Sequence, residues 1–423
     1  MEQKKSFICI DLKSFYASVE CVERGLDPFK TNLVVADPSR SKSTICLAIT
    51  PAMKSQGVKN RCRIHEIPKG LEYITAMPRM QLYIDYSARI YSIYLRYVSK
   101  EDIHVYSIDE CFMDVTNYLS LYHMTEKEMA VELMRAVMEE TGITATAGIG
   151  TNLYLAKIAM DIVAKHVDDH IGILDEISFR KKLWTHQPLS DFWRIGSRTE
   201  KKLAGYGIHT MGDIARASIT SEDWLYKMFG IDAELLIDHA WGLESCRMSD
   251  IKSYHTEERS LSNGQVLMRN YSYEEAVVVV REMTDVLVLD LADKGLVTDS
   301  VTLWIAYDHK LERPSSHGTV KFDYLTNSSR SIMDGVENLY RQIVDRYTGI
   351  RRIEICANRV KVESYLQYNL FMDMETVEKE KNLQKAVLSV QKRYGKNAIM
   401  RGANLLDCST YRERNGQIGG HRA

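Results

Sequence analysis

The chain has 423 residues, enough for about two to four domains, and its 45% hydrophobic content is ample for packed cores. A formal charge of −2 and a pI near 6.7 exclude a strongly basic protein that coats nucleic acid, so phosphate contacts must come from local patches and main-chain amides. The N-terminus lacks the apolar core of a signal peptide, no apolar run approaches the ~20 residues of a membrane span, and the 8 cysteines show neither CxxC pairs nor zinc spacing, so a cytoplasmic protein with reduced thiols is expected.

Residues 7–16 read Phe-Ile-Cys-Ile-Asp-Leu-Lys-Ser-Phe-Tyr, an apolar strand that ends on Asp11 and turns at once into a helix. On that helix Phe15, Val19 and Val22 share a stripe, while Tyr16 is turned about 100° away and is free to face the strand end. Residues 31–70 carry Pro38, Pro51, Gly57, Pro68 and Gly70 among many basic residues, the pattern of a small insertion built from short elements. Helical spacing predicts helices over 80–98 and 126–141 that pack on a sheet. Between them, residues 105–115 (VYSIDECFMDV) read as a β-hairpin with Asp109 and Glu110 at its apex. Neighbouring strand residues point to opposite faces, so only a sharp turn lets both carboxylates serve one site. Two carboxylates about 4 Å apart repel by roughly 4 kcal/mol at an effective dielectric near 20, which makes such a cluster a cation site. Oxygen ligands suit Mg²⁺, which also binds substrate phosphates. An Asp at a strand end is commonly a cap, and Asp-Glu in a hairpin is commonly a solvated turn; the two segments together are far more specific than either.

Further along, residues 144–150 (TATAGIG) predict a strand, and Asn152 can cap a helix running to about Lys165. Gly148-x-Gly150 lacks the third glycine and the downstream acid of a dinucleotide fingerprint, and no GxxxxGK[ST] loop occurs. Residues 190–214 read as helix, a turn at Ile195-Gly196, a helix capped by Ser197 or Thr199, and a second glycine turn. Residues 246–256 are polar and linker-like. Residues 257–363 alternate strands (VTLWIAYD, TVKFDYL, RRIEICANRVKV) with helices at 273–293 and 330–346, as in an α+β module. The tail predicts an amphipathic helix over 376–394 and a mobile, Gly-rich end.

Residues 10–20 (IDLKSFYASVE) and 106–115 (YSIDECFMDV) resemble the two catalytic motifs of the Y-family DNA polymerases, the translesion enzymes of the DinB and UmuC type. The resemblance runs along the whole chain and implies a multidomain α+β right-hand polymerase. Its parts would be a palm (1–22 and 82–172), small fingers (23–81), a thumb with a helix-hairpin-helix (173–245), a linker (246–256), an α+β little finger (257–363) and a tail (364–423). It further implies that Asp11, Asp109 and Glu110, with the main-chain carbonyl of Leu12, hold two Mg²⁺ ions for phosphoryl transfer. Tyr16 would be the steric gate against a ribose 2′-hydroxyl, Phe15 would pack beneath the nucleotide, and Lys165 would bind the incoming dNTP triphosphate. Lys54 and Pro51 stand where relatives carry the arginine and tyrosine of a Tyr-x-x-Arg phosphate motif, and a lysine offers a point charge instead of a fork. In the hairpin, Arg194, Ile195 and Gly196 would meet primer-template DNA, with Arg194 standing where the family begins a Gly-x-Gly turn. Gln367-Tyr-Asn-Leu-Phe371 resembles the Q-x-x-L-F peptide that docks on a sliding clamp, with Gln367 as polar anchor and Leu370 and Phe371 filling a pocket. Asp114, past the acidic pair, is expected to be structural. Two other classes fit parts of the pattern, a nucleotidyl cyclase with a two-metal palm and a non-catalytic scaffold for DNA and clamp. Any need for a RecA-type filament or accessory subunits stays open.

Overall fold

In the computed structural model, which describes residues 5–40, 44–255, 259–364 and 374–423, the first apolar run forms β1 (Phe7–Leu12) and passes through Ser14 into α1 (Phe15–Val22). Ser14 holds a left-handed backbone (φ 49°, ψ 42°), and Ser18 Oγ donates to the carbonyl of Lys13 at 2.6 Å, which fixes a tight turn. Beyond the expected stripe of Phe15 and Val19, α1 also buries Ala17, Ser18, Glu20 and Cys21. Glu20 tolerates complete burial because Arg24, Arg79 and Tyr83 all donate to its carboxylate.

The insertion that follows contains β2 (Leu33–Val35), β3 (Ala48–Ile49), α2 (Pro51–Ser55) and β4 (Ile74–Ala76). Its strands pair in the order β3-β2-β4 over a small core of Val34, Cys46, Ile49, Met53 and Ile67. The chain then builds α3 (Met80–Tyr94), β5 (Ile103–Val105), β6 (Glu110–Asp114), α4 (Thr116–Tyr122), α5 (Glu126–Thr141), β7 (Ala145–Gly150), α6 (Leu153–Ile158) and β8 (Ile171–Leu174). The sheet runs β5-β6-β1-β7-β8, antiparallel except for the β7–β8 pair, with β1 at its centre. A Thr125–Glu128 capping box starts α5, and Gly142 ends it with φ 71°. Asp114 accepts from the Thr116 N–H at 3.0 Å and its hydroxyl at 2.6 Å, so it shapes the exit of β6.

Asn152 caps α6 by accepting from the Leu155 N–H at 2.8 Å, but the helix does not continue unbroken to Lys165. A π turn over Ala159–Val163 and a 3₁₀ turn over Ala164–His166 follow it. The glycines of the neighbouring strands explain how close this segment lies. A Cβ at Gly148 would stand 2.1 Å from the carbonyl oxygen of Ala156, at Gly150 2.2 Å from the nitrogen of Ala156, and at Gly172 2.1 Å from the carbonyl oxygen of Ala159. The Gly-x-Gly pair therefore serves helix-on-sheet packing, not a dinucleotide.

Six helices follow: α7 (Glu176–Leu183), α8 (Ser197–Ala204), α9 (Met211–Thr220), α10 (Glu222–Phe229), α11 (Asp232–Trp241) and α12 (Met248–Ser253). Phe179, Phe192, Leu203 and Ile214 form their core with Leu155 and Ile158 of α6. The stretch expected as a plain linker thus contains α12, whose Met248 is 4% exposed and packs with Phe7, Phe112 and Met160. One apolar anchor among polar neighbours gives too weak a periodicity to announce it.

The chain divides at Tyr254, and the second unit, His255–Ala423, is a separate α+β body. It consists of β9 (Arg259–Tyr271), α13 (Tyr273–Asp293), β10 (Leu296–Tyr307), β11 (Ser316–Thr326), α14 (Ser329–Ile343) and β12 (Ile350–Val362), with strand order β11-β10-β12-β9. α13 and α14 cover one sheet face around Leu267, Met283, Leu287, Val301, Ile353 and Tyr340. β9 was not among the expected strands, because its buried residues are few and separated by polar ones. The tail corrects a second expectation. After α15 (Met374–Tyr394) the end is not mobile but forms α16 (Tyr411–Asn415) and a hairpin of β13 (Gln417–Ile418) and β14 (His421–Arg422). Buried Glu282 of α13 holds it down, accepting from Asn404 Nδ2 at 3.2 Å and the Thr410 N–H at 3.1 Å, while Arg401 pairs with Asp285 at 2.6 Å. Among the described residues no helix is long and apolar enough to cross a membrane.

Candidate active site

The strand register brings the two acidic segments together: Asp11 of β1 lies directly opposite Glu110 of β6, and the Leu12 N–H donates to the carbonyl of Asp109 at 2.9 Å. Asp109 sits in the turn between β5 and β6, where Ser107 Oγ donates to its Oδ1 at 2.6 Å. The turn resolves the strand-face problem posed by adjacent carboxylates. Burial, reinforced by the charges of Asp109 and Glu110, pushes the Asp11 carboxyl up to about 7. Burial also raises Glu110, against the pull of Lys157.

Glu110 is 8% exposed, and its carboxylate is engaged by two side chains. Its Oε2 accepts from Lys157 Nζ at 2.9 Å, and its Oε1 from Cys9 Sγ at 3.3 Å. Lys157 also reaches Asp161 at 3.0 Å, one helical turn on. Burial opposes the Lys157 charge, but Asp161 and Glu110 outweigh it and drive its pKa upward. As they stand, no three acidic, histidine or cysteine side chains among the described residues converge on one metal position. The chemistry of the donor set nevertheless fits a hard cation: it is oxygen-rich, and burial together with the neighbouring carboxylate charges raises the Asp11 carboxyl, a cost that a cation would relieve. Sequence reasoning missed Lys157 and Asp161; the signal was a lysine and an aspartate inside the otherwise apolar run LYLAKIAMDIV.

Beside the carboxylates lies a 280 Å³ cavity lined by Asp11, Lys13, Phe29, Lys54, Asp161 and Lys165, among others. Lys54 and Lys165, far apart in sequence, thus share one cleft with Asp11. Burial lowers the Lys54 pKa, partly offset by Asp11. Lys13 and Phe29 had no sequence signal. Tyr16 is half-buried and stacks on Tyr83 with centroids 4.5 Å apart, while Phe15 is 2% exposed, its ring tilted against Tyr16 at 5.8 Å. Burial and the charge of Asp109 raise the Tyr16 hydroxyl, opposed by Arg61.

In the thumb, the first half of the expected hairpin is only a 3₁₀ turn, Leu189–Asp191, and the N-cap of α8 is Gly196, with no side-chain cap from Ser197 or Thr199. The first N–H groups of α8 are left open to an anion. Arg194, where the family places a glycine, adopts the left-handed backbone a glycine would favour, φ 70°. Ile195 is 6% exposed and packs in the core of these helices, which leaves its main chain, not its side chain, at the surface turn. Gln367, Leu370 and Phe371 lie outside the described residues.

The sequence profile of the impB/mucB/samB family matches residues 10–161, and that of the family's C-terminal domain matches residues 258–370. DNA polymerase IV 2 of Bacillus subtilis (strain 168) is 30% identical over 100% of both chains. The UvrX protein of the same organism is 29% identical over 99% of this chain and 98% of its own. DNA polymerase IV 2 of Halalkalibacterium halodurans is 27% identical over 99% of each. Among solved structures, a Dbh-Dpo4-Dbh chimera of Y-family DNA polymerases shares the fold, with a TM-score of 0.65 and 22% identity over 84% of this chain and 99% of that one.

Proposed function

The chain belongs to the impB/mucB/samB family and is a DNA-directed DNA polymerase of the translesion type, and from that premise we propose that Asp11, Asp109 and Glu110 are its catalytic carboxylates. As a DNA polymerase it binds primer-template DNA and dNTPs, and its family uses divalent metal. The observation that carries the assignment is the register of Asp11 against Glu110, with Asp109 in the adjoining turn and the lysine-lined cavity alongside.

Asp11, Asp109, Glu110 and the Leu12 carbonyl would hold two Mg²⁺ ions, which when bound supply activation of the primer 3′-hydroxyl and charge neutralisation of the leaving pyrophosphate. The chain's own residues position the substrates. Lys54 and Lys165 grip the triphosphate in the cavity as point charges, with Lys13 at its rim. Tyr16 closes the space where a 2′-hydroxyl would sit, and Phe15, tilted against it, packs beneath the nucleotide. Glu110, paired here with Lys157, would be shared with the metal, and Asp161 would remain a partner for Lys157. Arg194 and the open N–H groups at Gly196–α8 hold a DNA phosphate without reading sequence. Gln367, Leu370 and Phe371 dock on a sliding clamp. Copying is error-prone, serves the DNA damage response, and takes place in the cytoplasm.

The test is primer extension with Mg²⁺, wild type against Asp109→Ala. Template-dependent extension that falls at least about 10³-fold in the variant is expected for a residue holding metal at the reacting atoms. No extension by the wild type would favour a scaffold, and product without template a cyclase.

A further inference from the structure

The thumb turn meets the acidic hairpin through a pair of aromatic side chains. Trp193 Nε1 donates to the Tyr106 hydroxyl at 3.1 Å, and the two rings stand edge to face, centroids 5.8 Å apart at 81°. Tyr106 is itself built into the hairpin: its N–H donates to the carbonyl of Glu110 at 3.0 Å, and its ring stands against Phe112 at 5.8 Å. On its thumb side the Trp193 indole lies 6.2 Å from the buried His239 and carries the Arg194 guanidinium over its face at 5.0 Å. One indole thus touches both the hairpin that bears Asp109 and Glu110 and the residue that opens the phosphate-holding turn.

We propose that Trp193 is a positioning residue: with Tyr106 it sets the distance between the thumb's phosphate grip and the catalytic carboxylates, so that the primer end arrives in reacting register. The proposal rests on the reading of those two sites given above. A rigid ring with a directed N–H suits the task, because it fixes both spacing and orientation. It also explains how Arg194 keeps its left-handed backbone, a conformation that persists only where neighbours hold it. Displacing reacting atoms by about 1 Å can cost about 10²-fold in rate, so this contact can govern turnover without touching substrate.

Trp193→Phe keeps an aromatic ring and loses the N–H, and Tyr106→Phe keeps the ring and loses the acceptor. In single-turnover primer extension each is expected to lower the rate at saturating dNTP by about fivefold to tenfold, leaving the KM for dNTP and the Kd for primer-template within about twofold. The double variant is expected to be no slower than the singles. Single effects that multiply in the double, or a loss that lies wholly in the DNA Kd or in the melting temperature, overturn the proposal. Tyr106 is 46% exposed, so Tyr106→Phe folds and decides the matter even if Trp193→Phe does not. Wild type and Asp109→Ala run alongside: an inactive wild type, or an equally active Asp109→Ala, removes the reading of the carboxylate site, an outcome separate from a defect confined to the aromatic pair.

Discussion

Tyr16, within electrostatic reach of Asp109, and Lys157, paired with Glu110, would serve the proposed site in different ways. As the proposed gate Tyr16, braced by Tyr83, would be a wall, and a pocket wall facing one extra hydroxyl discriminates by about 10²-fold. Tyr16→Ala is therefore expected to keep DNA synthesis while ribonucleotide incorporation rises by up to about that factor; unchanged sugar selectivity in primer extension would refute the gate. Lys157 is a counter-charge. Its side chain is 9% exposed, and removing one partner of such a buried pair costs about 3 kcal/mol or more. Lys157→Met should lose about that much in chemical denaturation without metal at alkaline pH, less at acid pH because burial raises the Glu110 carboxyl and eases its protonation, and should regain part of it when Mg²⁺ is added. Equal losses at both pH values would argue against the pairing. Asp11 and Tyr16 were legible in the sequence because a strand end and a helical turn fix them locally. The Trp193–Tyr106 contact joins residues 87 apart, and no local pattern announces it.

At the scale of elements, the long, strongly periodic helices and the apolar strands were readable, while departures from regularity were not. The π turn after α6 is an example, since nothing in LYLAKIAMDIV distinguishes it from a continuous helix. The tail is another: its hold on α13 comes from polar partners, Arg401, Asn404 and Thr410, which in sequence look like solvated positions. Burial raises Asp285 to about 6, with Arg401 restraining the rise. A carboxyl raised on folding favours the fold below its unfolded pKa of about 4, and that contribution is lost as pH climbs through 6. Arg401→Ala deepens the loss. Because the Arg401 side chain is 64% exposed, the variant should cost only about 1 kcal/mol near pH 8 and close to nothing near pH 4, read by denaturant unfolding at each pH. A loss that does not depend on pH would mean that packing, not charge, holds the tail.

Across the whole molecule, a charge of −2 leaves little general attraction to DNA, and the proposed grip, made partly of main-chain N–H groups, would add little salt-sensitive binding. A tether then matters most when salt is high. Adding a sliding clamp should stimulate extension several-fold, by about tenfold or more at elevated salt, and Leu370→Ala with Phe371→Ala should abolish the stimulation while leaving clamp-free extension unchanged. Stimulation that survives the double substitution would place the docking elsewhere. The acidic motifs could be read from the chain because each is local, whereas the way α6 and the turns after it bear on β7 and β8 could not. That packing has an evolutionary consequence. Gly148, Gly150 and Gly172 have no chemistry of their own, yet any of them gaining a methyl group would lift Lys157, Asp161 and Lys165 away from Asp11 together. At these three positions, which have no side chain, a single-nucleotide change to alanine would disturb one whole side of the proposed site at once.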